Sequence, residues 1–365
     1  MNSRREFCQG LAGLAAASAA TRLMGQAEMH VTPVTSYADG RPVALKRMNA
    51  TDAGPILKHG AGPDKCDYLG AREAICFHDG DTYYLHYDGA GPKGWLACLA
   101  TSKDLKHWKL HGPVLDFGAP GTDDSGTATS PWTVFDGQWW HMYYVGCRTT
   151  TPPPDRIPAV PYFTLTARSK HPSGPWEKLT KVVPFHTQPR TYYADTASPG
   201  QIMKHGDEYL MFFSAAAFHG ASHEQVLKRT LAIARTRDLD GEWKVDAEPI
   251  LPPEQQLENS ALYYEPTIQT WFLFANHIGL DSGGEYTDSI WVYWSKDLTK
   301  WDPEKRATVL DRTNCRWAVK CIGMPSVVQV GKRLAIFYDA PAQDTGHMKR
   351  DVGLAWLDLP LRIPA

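Results

Sequence analysis

Apolar and polar residues alternate within pairs of short segments along most of the chain. Residues 71–89, AREAICFHDGDTYYLHYDG, show the pattern, with apolar and aromatic positions on both sides of Asp79-Gly80. Alternation with period two is typical of β-strands, and Asp-Gly favours a tight turn between two strands. The segment therefore predicts a β-hairpin, but Arg72 and Glu73 stand at the start of a first strand that is otherwise apolar.

The hairpin pattern recurs four more times, and a third strand-like segment follows each hairpin. The later hairpins occupy residues 130–144, 198–213, 258–274 and 324–338. Four of the third segments lead into a motif of the form Ser-x-Asp-Leu-x-x-Trp or a variant of it, which ends at Trp108, Trp176, Trp243 and Trp301. A repeat of this period indicates one supersecondary unit per copy. Five four-stranded antiparallel units around an axis make an all-β protein, a five-bladed β-propeller.

The connections between the predicted strands fall into two classes. Turns between the first and second strands are short, whereas loops between the second and third strands are long and polar, as in residues 146–161 and 276–288. In an antiparallel blade these long loops share one rim with the starts of the innermost strands. Long loops on a rigid scaffold usually carry function. We therefore expect Arg72 and Glu73 at the mouth of an axial pocket; a closed ion-pair network between blades is the alternative.

The repeat and its Ser-x-Asp-Leu-x-x-Trp motif resemble the five-bladed superfamily that includes glycoside hydrolase families 43, 32, 117 and 130. The resemblance extends over about residues 60–360 and implies carboxylates at the starts of blades one, two and three. Glu73-Ala74 matches the first position. Blade two has Trp132 where the second carboxylate is expected, and the nearest carboxylate in blade three is Asp195. A Glu stands at the matching position only in blade four, as Glu258.

Glycoside hydrolysis needs two carboxyl groups flanking the scissile bond. We therefore expect Glu73 and Glu258 to be the acid and the base, in either order, with Asp195 orienting substrate or tuning a pKa. Sugars need dense hydrogen bonding and aromatic stacking. The residues expected to bind substrate are Arg72, Asp88, Asp124, Trp132, His277, Asp288, Lys320 and His347. This chemistry requires no cofactor, but a rim histidine could instead donate a proton or bind a structural divalent cation in the axial channel.

The N-terminus has a different character from the repeats. Residues 2–27, NSRREFCQGLAGLAAASAATRLMGQA, combine Arg4-Arg5 with an Ala-rich apolar stretch and small residues before a cleavage point. This pattern is typical of a twin-arginine signal peptide. The predicted organisation is a signal peptide at 1–27, an extension at 28–60 that packs on the propeller, and a catalytic propeller at 61–365. The expected location is the periplasm or beyond.

Charge and hydropathy narrow the range of partners. A formal net charge of −2 gives no electrostatic reason to expect nucleic acid, and no apolar run is long enough to insert into a membrane. The leading hypothesis is an exported, exo-acting glycoside hydrolase that acts on an oligo- or polysaccharide. The alternatives are a non-catalytic sugar-binding propeller and a phosphorylase that binds phosphate through Arg148, Arg316 and Lys320.

Overall fold

The computed structural model describes residues 31–220 and 226–365, which are built almost entirely of β-strands. The predicted signal peptide, residues 1–27, lies outside the described residues. In the part of the chain that is described, no helix has both the length and the apolar character needed to cross a bilayer.

The strands form five antiparallel units of four strands each, which we call blades one to five. A short parallel pairing between the third strand of blade one and the first strand of blade two also joins these two blades. The chain opens with β1 (Thr51–Leu57). Blade one holds β2 (Gly70–Asp79), β3 (Thr82–Gly91), β4 (Gly94–Ser102) and β5 (Lys109–Pro113). Blade two holds β6 (Thr127–Phe135), β7 (Trp140–Cys147), β10 (Phe163–Ser169) and β11 (Glu177–Lys178), and the hairpin of β8 (Thr149–Thr150) and β9 (Pro158–Ala159) lies between its second and third strands. Blade three holds β12 (Thr196–His205), β13 (Glu208–His219), β14 (Val226–Thr236) and β15 (Lys244–Val245). Blade four holds β16 (Leu257–Glu265), β17 (Thr270–Asp281), β18 (Gly284–Ser295) and β19 (Arg306–Leu310). Blade five holds β20 (Gly323–Val330), β21 (Arg333–Pro341) and β22 (Arg350–Asp358), and short 3₁₀ helices lie at Pro63–Lys65 and Pro253–Gln255.

The fourth strand of blade five comes from the N-terminal side of the chain. β1 pairs antiparallel with β22, for example Thr51 with Trp356 and Leu57 with Val352. The two ends of the described chain are therefore joined in one sheet. The predicted boundary between an extension at 28–60 and a propeller at 61–365 separates β1 from the sheet to which it belongs. β1 carries no copy of the repeat motif, so the sequence pattern does not mark it as a strand of a blade.

Neighbouring blades pack face to face, and the predicted all-β, five-bladed architecture is confirmed. The innermost strands β2, β6, β12, β16 and β20 contact one another in cyclic order. A cluster of buried apolar side chains lies between each pair of adjacent blades, including blades five and one. Burial of apolar surface on both faces of each sheet provides the main driving force for this packing.

The repeat motif has a local and a long-range role. In its first copy the Ser102 hydroxyl accepts a hydrogen bond from the backbone N–H of Leu105 at 3.0 Å, and Asp104 accepts one from the N–H of His107 at 2.8 Å, which holds a tight turn. The motif's tryptophan then packs on the preceding blade. Trp108 meets Phe337 of blade five edge-on at 6.2 Å, and Trp243 meets Tyr143 of blade two at 5.3 Å, measured between ring centres.

Candidate active site

Every innermost strand is interrupted by a β-bulge at the same height. The pairing with the second strand breaks between Arg72 and Ile75, Thr129 and Trp132, Ser198 and Gln201, Glu258 and Ser260, and Gly323 and Ser326. Four of these bulges contain a non-glycine residue with positive φ: Glu73 at 50°, Ser130 at 50°, Asn259 at 42° and Met324 at 64°. A bulge redirects a side chain, and such backbone strain is concentrated at functional sites. The bulges give the five-fold repeat a set of equivalent positions at the axis.

The bulge of blade three provides a test of this arrangement. A Cβ on Gly200 would lie 1.6 Å from the carbonyl oxygen of Phe212, an impossible contact with the backbone. We expect Gly200→Ala to lower the free energy of unfolding by about 1–3 kcal/mol or more, measured by urea denaturation. Gly70→Ala, in the innermost strand of blade one, is the matched control, because its nearest neighbour would be 3.4 Å away. Equal losses in both variants would contradict this description of the bulge.

The bulge residues open into a cavity of about 450 Å³ at the axis. Residues from all five innermost strands line it, and loop residues complete its walls. The loop residues come from the β8–β9 region, from the β17–β18 connection and from the β21–β22 connection: Ile157, Pro158, Val160, Gly283, Asp344, Gly346 and His347. The rim that the loop lengths predicted to carry function is therefore the rim at which the cavity lies.

Glu73 is held on both sides by neighbouring blades. Its backbone N–H donates to Asp339 of blade five at 2.8 Å, and its side chain accepts a short hydrogen bond from the Ser130 hydroxyl of blade two. Burial raises the pKa of Glu73 to about 7, against the opposing effects of the Arg72 charge and of the Ser130 hydrogen bond. A carboxyl group with this pKa is protonated in a substantial fraction of molecules at neutral pH and can donate that proton.

Asp88 fixes the hydroxyl that binds Glu73. Its carboxylate accepts the backbone N–H of Ser130 at 2.6 Å and the Ser130 hydroxyl lies 3.2 Å from its other oxygen. Burial, followed by the charge of Glu73, raises the pKa of Asp88 well above its usual range. Glu73, Ser130 and Asp88 thus form one hydrogen-bonded group that binds protons more readily than separate carboxylates would.

Removal of the Ser130 hydroxyl should change the titration of Glu73. The hydrogen bond stabilises the charged form, so Ser130→Ala is expected to raise the pKa of Glu73 by about one unit or more. An activity that needs protonated Glu73 would then persist to higher pH, and its alkaline limb in kcat/KM would move upward. Ser198→Ala is the control, because Ser198 lines the same cavity from blade three. An unmoved limb in Ser130→Ala, or an equal shift in Ser198→Ala, would exclude this coupling.

Glu258 lines the cavity from the start of β16 in blade four and belongs to a chain of ion pairs. Its carboxylate is 2.7 Å from Nε of Arg229, and Arg229 is also 2.7 Å from Glu285. Glu285 in turn pairs with Arg41 of the N-terminal segment at 3.2 Å. The Glu258 side chain is 30% exposed, so it is accessible from the cavity. An accessible carboxylate held by a guanidinium can serve as a base or a nucleophile.

Of the predicted site residues, the structure brings six together around the cavity: Glu73, Glu258, Arg72, Asp88, Lys320 and His347. Arg72 is nearly fully buried, and its Nη1 donates to Nδ1 of His347 at 3.0 Å. The positive charge of Arg72 therefore lowers the pKa of His347. Lys320 pairs with Asp281 at 2.9 Å at the cavity wall.

Three of the predicted residues lie elsewhere: one falls at the far side of the bulge of its strand, and two precede the innermost strands of their blades. The equivalent of Glu73 in blade two is Ser130, so Trp132 falls two positions later and packs in the hydrophobic cluster between blades. Asp195 precedes β12 and accepts the backbone N–H of Phe218 at 2.9 Å. Asp124 pairs with Lys178 at 2.6 Å inside blade two. The predictions that Trp132 and Asp124 bind substrate and that Asp195 assists catalysis therefore lack support in the geometry.

The remaining two predicted residues form a buried pair away from the cavity. His277 is fully buried, lies 2.7 Å from Asp288 and stacks on Trp291 with ring centres 3.7 Å apart. The Tyr37 hydroxyl from the N-terminal segment also donates to Asp288. Neither His277 nor Asp288 lines the cavity; they lie in the two middle strands of blade four, β17 and β18, and both contact Tyr37.

Several cavity residues were missed by the sequence reasoning. Arg229 lies near the start of a third strand, a position that the repeat pattern does not mark as part of the pocket. Its position at the end of the long polar loop 215–229 was the available signal. Arg350 pairs with Asp339 at 2.8 Å, and both side chains are almost completely buried. Arg148, considered for phosphate, pairs with Asp123 at 2.6 Å outside the cavity.

The described residues offer no metal site of the expected kind. In residues 31–220 and 226–365, no three side chains of His, Cys, Asp or Glu are grouped so that they could hold a metal ion. The donor set at the axis is instead a mixture of carboxylates and guanidinium groups. We therefore derive no step through a metal.

Comparisons with solved structures identify proteins that share this fold. One solved glycoside hydrolase shares 17% identity with a TM-score of 0.65, over 87% of this protein and 96% of that one. The catalytic domain of the Coprinopsis cinerea GH62 α-L-arabinofuranosidase matches with 10% identity and a TM-score of 0.58, over 85% of this protein and 97% of that one. A thermostable family-43 glycoside hydrolase matches with 13% identity and a TM-score of 0.55, over 84% and 93%. This is the five-bladed glycoside hydrolase fold.

The shared glycoside hydrolase fold confirms the resemblance that the repeat motif suggested. No protein-family model and no curated protein matches the sequence. The structural likeness establishes the architecture, but at sequence identities of 10–17% it does not establish the function, which depends on the residues of the cavity.

Proposed function

We propose that this protein is a glycoside hydrolase in which Glu73 is the general acid and Glu258 is the base or nucleophile. The observation that carries the proposal is the difference between the two carboxyl groups at one cavity. Glu73 is buried with a pKa raised to about 7, whereas Glu258 is accessible and ion-paired with Arg229. Glycoside hydrolysis requires two carboxyl groups at one site, one of which can donate a proton while the other is accessible to act as base or nucleophile.

Exo-action is supported by the walls of the cavity. Loop residues from blades two, four and five rise around it, and a cavity of about 450 Å³ has room for one or two sugar units. Such a pocket favours the end of a glycan over its interior. The Arg4-Arg5 pattern supports export by the twin-arginine route, which would place the enzyme in the periplasm or outside the cell.

The direct test is a screen of the mature protein against aryl glycosides and native oligosaccharides, with release of free sugar as the readout. We expect hydrolysis of at least one glycoside, with monosaccharides or short oligosaccharides released from chain ends. The structural neighbours include an α-L-arabinofuranosidase and an α-L-arabinanase complexed with arabinohexaose, so arabinosides belong in the panel.

Two other outcomes would contradict the proposal. Sugar binding by calorimetry without any turnover would favour a non-catalytic sugar-binding propeller. Cleavage that depends on added phosphate and yields a sugar phosphate would identify a phosphorylase.

A further inference from the structure

Among the residues that the structure describes, four cationic side chains line the cavity, and three of them have a carboxylate partner. Arg229 lies 2.7 Å from Glu258 and from Glu285. The other two pairs are Lys320 with Asp281 at 2.9 Å and Arg350 with Asp339 at 2.8 Å. Each of these three charges is therefore compensated by direct contact within the protein.

Arg72 is the exception. It is only 6% exposed, yet within the described residues no carboxylate oxygen lies within 4.0 Å of its guanidinium group. Its hydrogen-bond contact is with the lone pair of the His347 ring at 3.0 Å, and its Nε is buried without any hydrogen-bond partner in that part of the chain. One face of the guanidinium lies over the Trp95 ring at 5.4 Å. A buried guanidinium with an unpartnered N–H has donor capacity left for an anionic group of a ligand.

The nearby acidic groups act on Arg72 from a distance. Burial opposes its charged form, but the charges of Asp339, Glu73 and Asp88 outweigh burial and raise the pKa of Arg72. Each of these carboxylates has its direct contacts elsewhere: Glu73 and Asp88 share the Ser130 hydroxyl, and Asp339 contacts Arg350 and the backbone of Glu73. Within the described residues, Arg72 is thus a stably charged group in the cavity wall without a carboxylate in direct contact.

From this we infer that Arg72 receives a carboxylate of the substrate, so that the sugar unit bound in the cavity is a uronic acid. The inference rests on the proposed glycan-binding function of the same cavity. A planar carboxylate matches the fork of N–H donors on a guanidinium and supplies the direct ionic contact that Arg72 lacks. A doubly charged phosphate would need a second free cation, and the other three lining cations are paired. The hydroxyl and amide groups of Thr129, Ser198 and Asn259, which also line the cavity, are available for the sugar hydroxyls.

The test compares matched acidic and neutral sugars. Binding of D-glucuronate, D-galacturonate and D-mannuronate is measured by calorimetry beside D-glucose, D-galactose, D-mannose and inorganic phosphate. We expect wild-type protein to bind at least one uronate about 10-fold or more tightly than its neutral counterpart, the scale of one charge-assisted pair. Arg72→Gln should abolish this preference. Arg148→Gln, which removes one charge from an exposed ion pair on the same rim, should retain it.

Three results would overturn the inference. The first is the absence of uronate binding at about 10 mM, a concentration at which a millimolar dissociation constant is detectable. The second is a preference for the uronate that survives in Arg72→Gln, and the third is phosphate binding that is tighter than the binding of any uronate. The wild-type comparison decides the matter alone if Arg72→Gln does not fold. Turnover of neutral glycans only would contradict this inference and support the proposed glycoside hydrolase activity. Uronate binding without turnover of any glycan would support this inference and contradict the proposed activity.

Discussion

Glu73→Gln is expected to lower kcat/KM by about 10²–10⁴-fold for glycosides with poor leaving groups. The substitution keeps the size of the side chain and a carbonyl oxygen that can accept the Ser130 hydrogen bond, but it removes the proton that the leaving oxygen needs. A leaving group that departs as a stable anion needs no such proton. The loss should therefore be much smaller for a dinitrophenyl glycoside than for a native disaccharide or a phenyl glycoside. Steady-state kinetics with this series measures the dependence directly.

The control for Glu73→Gln is Glu177→Gln, the same chemical change at a side chain that is 68% exposed and outside the cavity. It should leave kcat/KM unchanged across the series. A uniform loss in Glu73→Gln for all leaving groups would contradict its role as general acid and would move that role to another carboxyl group.

Glu258→Gln is expected to reduce hydrolysis by a similar factor, about 10²–10⁴-fold, but for good and poor leaving groups alike. A base or nucleophile acts at the anomeric carbon, so a better leaving group does not replace it. Glutamine also leaves the Arg229 guanidinium without the charge that now lies 2.7 Å away. The same leaving-group series, run in parallel with the Glu73→Gln variant, measures the difference.

The control for Glu258→Gln is Glu285→Gln, because Arg229 pairs with Glu285 at the same distance of 2.7 Å. If loss of charge around Arg229 were the whole cause, both variants would be impaired equally. Our assignment predicts that Glu285→Gln retains most of the activity. Retention of activity in Glu258→Gln would remove Glu258 from the chemistry.

The repeat in the sequence was sufficient to predict the architecture because each blade contains its own copy of the pattern. The alternating hairpins and the tryptophan that packs on the preceding blade are local or nearest-neighbour features. β1 was missed as a strand of blade five because it has no repeat motif and its partner, β22, is about 300 positions later in the sequence. Pairing across that separation depends on closure of the whole ring of blades, and no local sequence pattern predicts this closure.

The clearest sequence signal for the site is a charged residue that interrupts an apolar strand. Arg72 and Glu73 gave that signal, and the structure places both at the cavity. Trp132 and Asp195 were assigned from their positions along the chain, which do not show where a side chain lies. Asp195 precedes β12, and Trp132 falls two positions after Ser130, the equivalent of Glu73 in blade two. The ion-pair chain from Arg41 to Glu258 was not visible either, since it joins residues from separate loops and strands through tertiary contacts.

The most direct test of the central claim is the pH dependence of kcat/KM in wild type and in Glu73→Gln. Glu73 faces Arg72, Asp88, Asp339 and Glu258, and burial raises its pKa to about 7. As the acid must be protonated, wild-type activity should be retained below this pKa and fall as pH rises through about 7. With a phenyl glycoside, whose leaving group needs the proton, as the substrate of both proteins, the residual activity of Glu73→Gln should lack this alkaline limb. A limb near pH 7 that persists unchanged in Glu73→Gln would show that another group donates the proton.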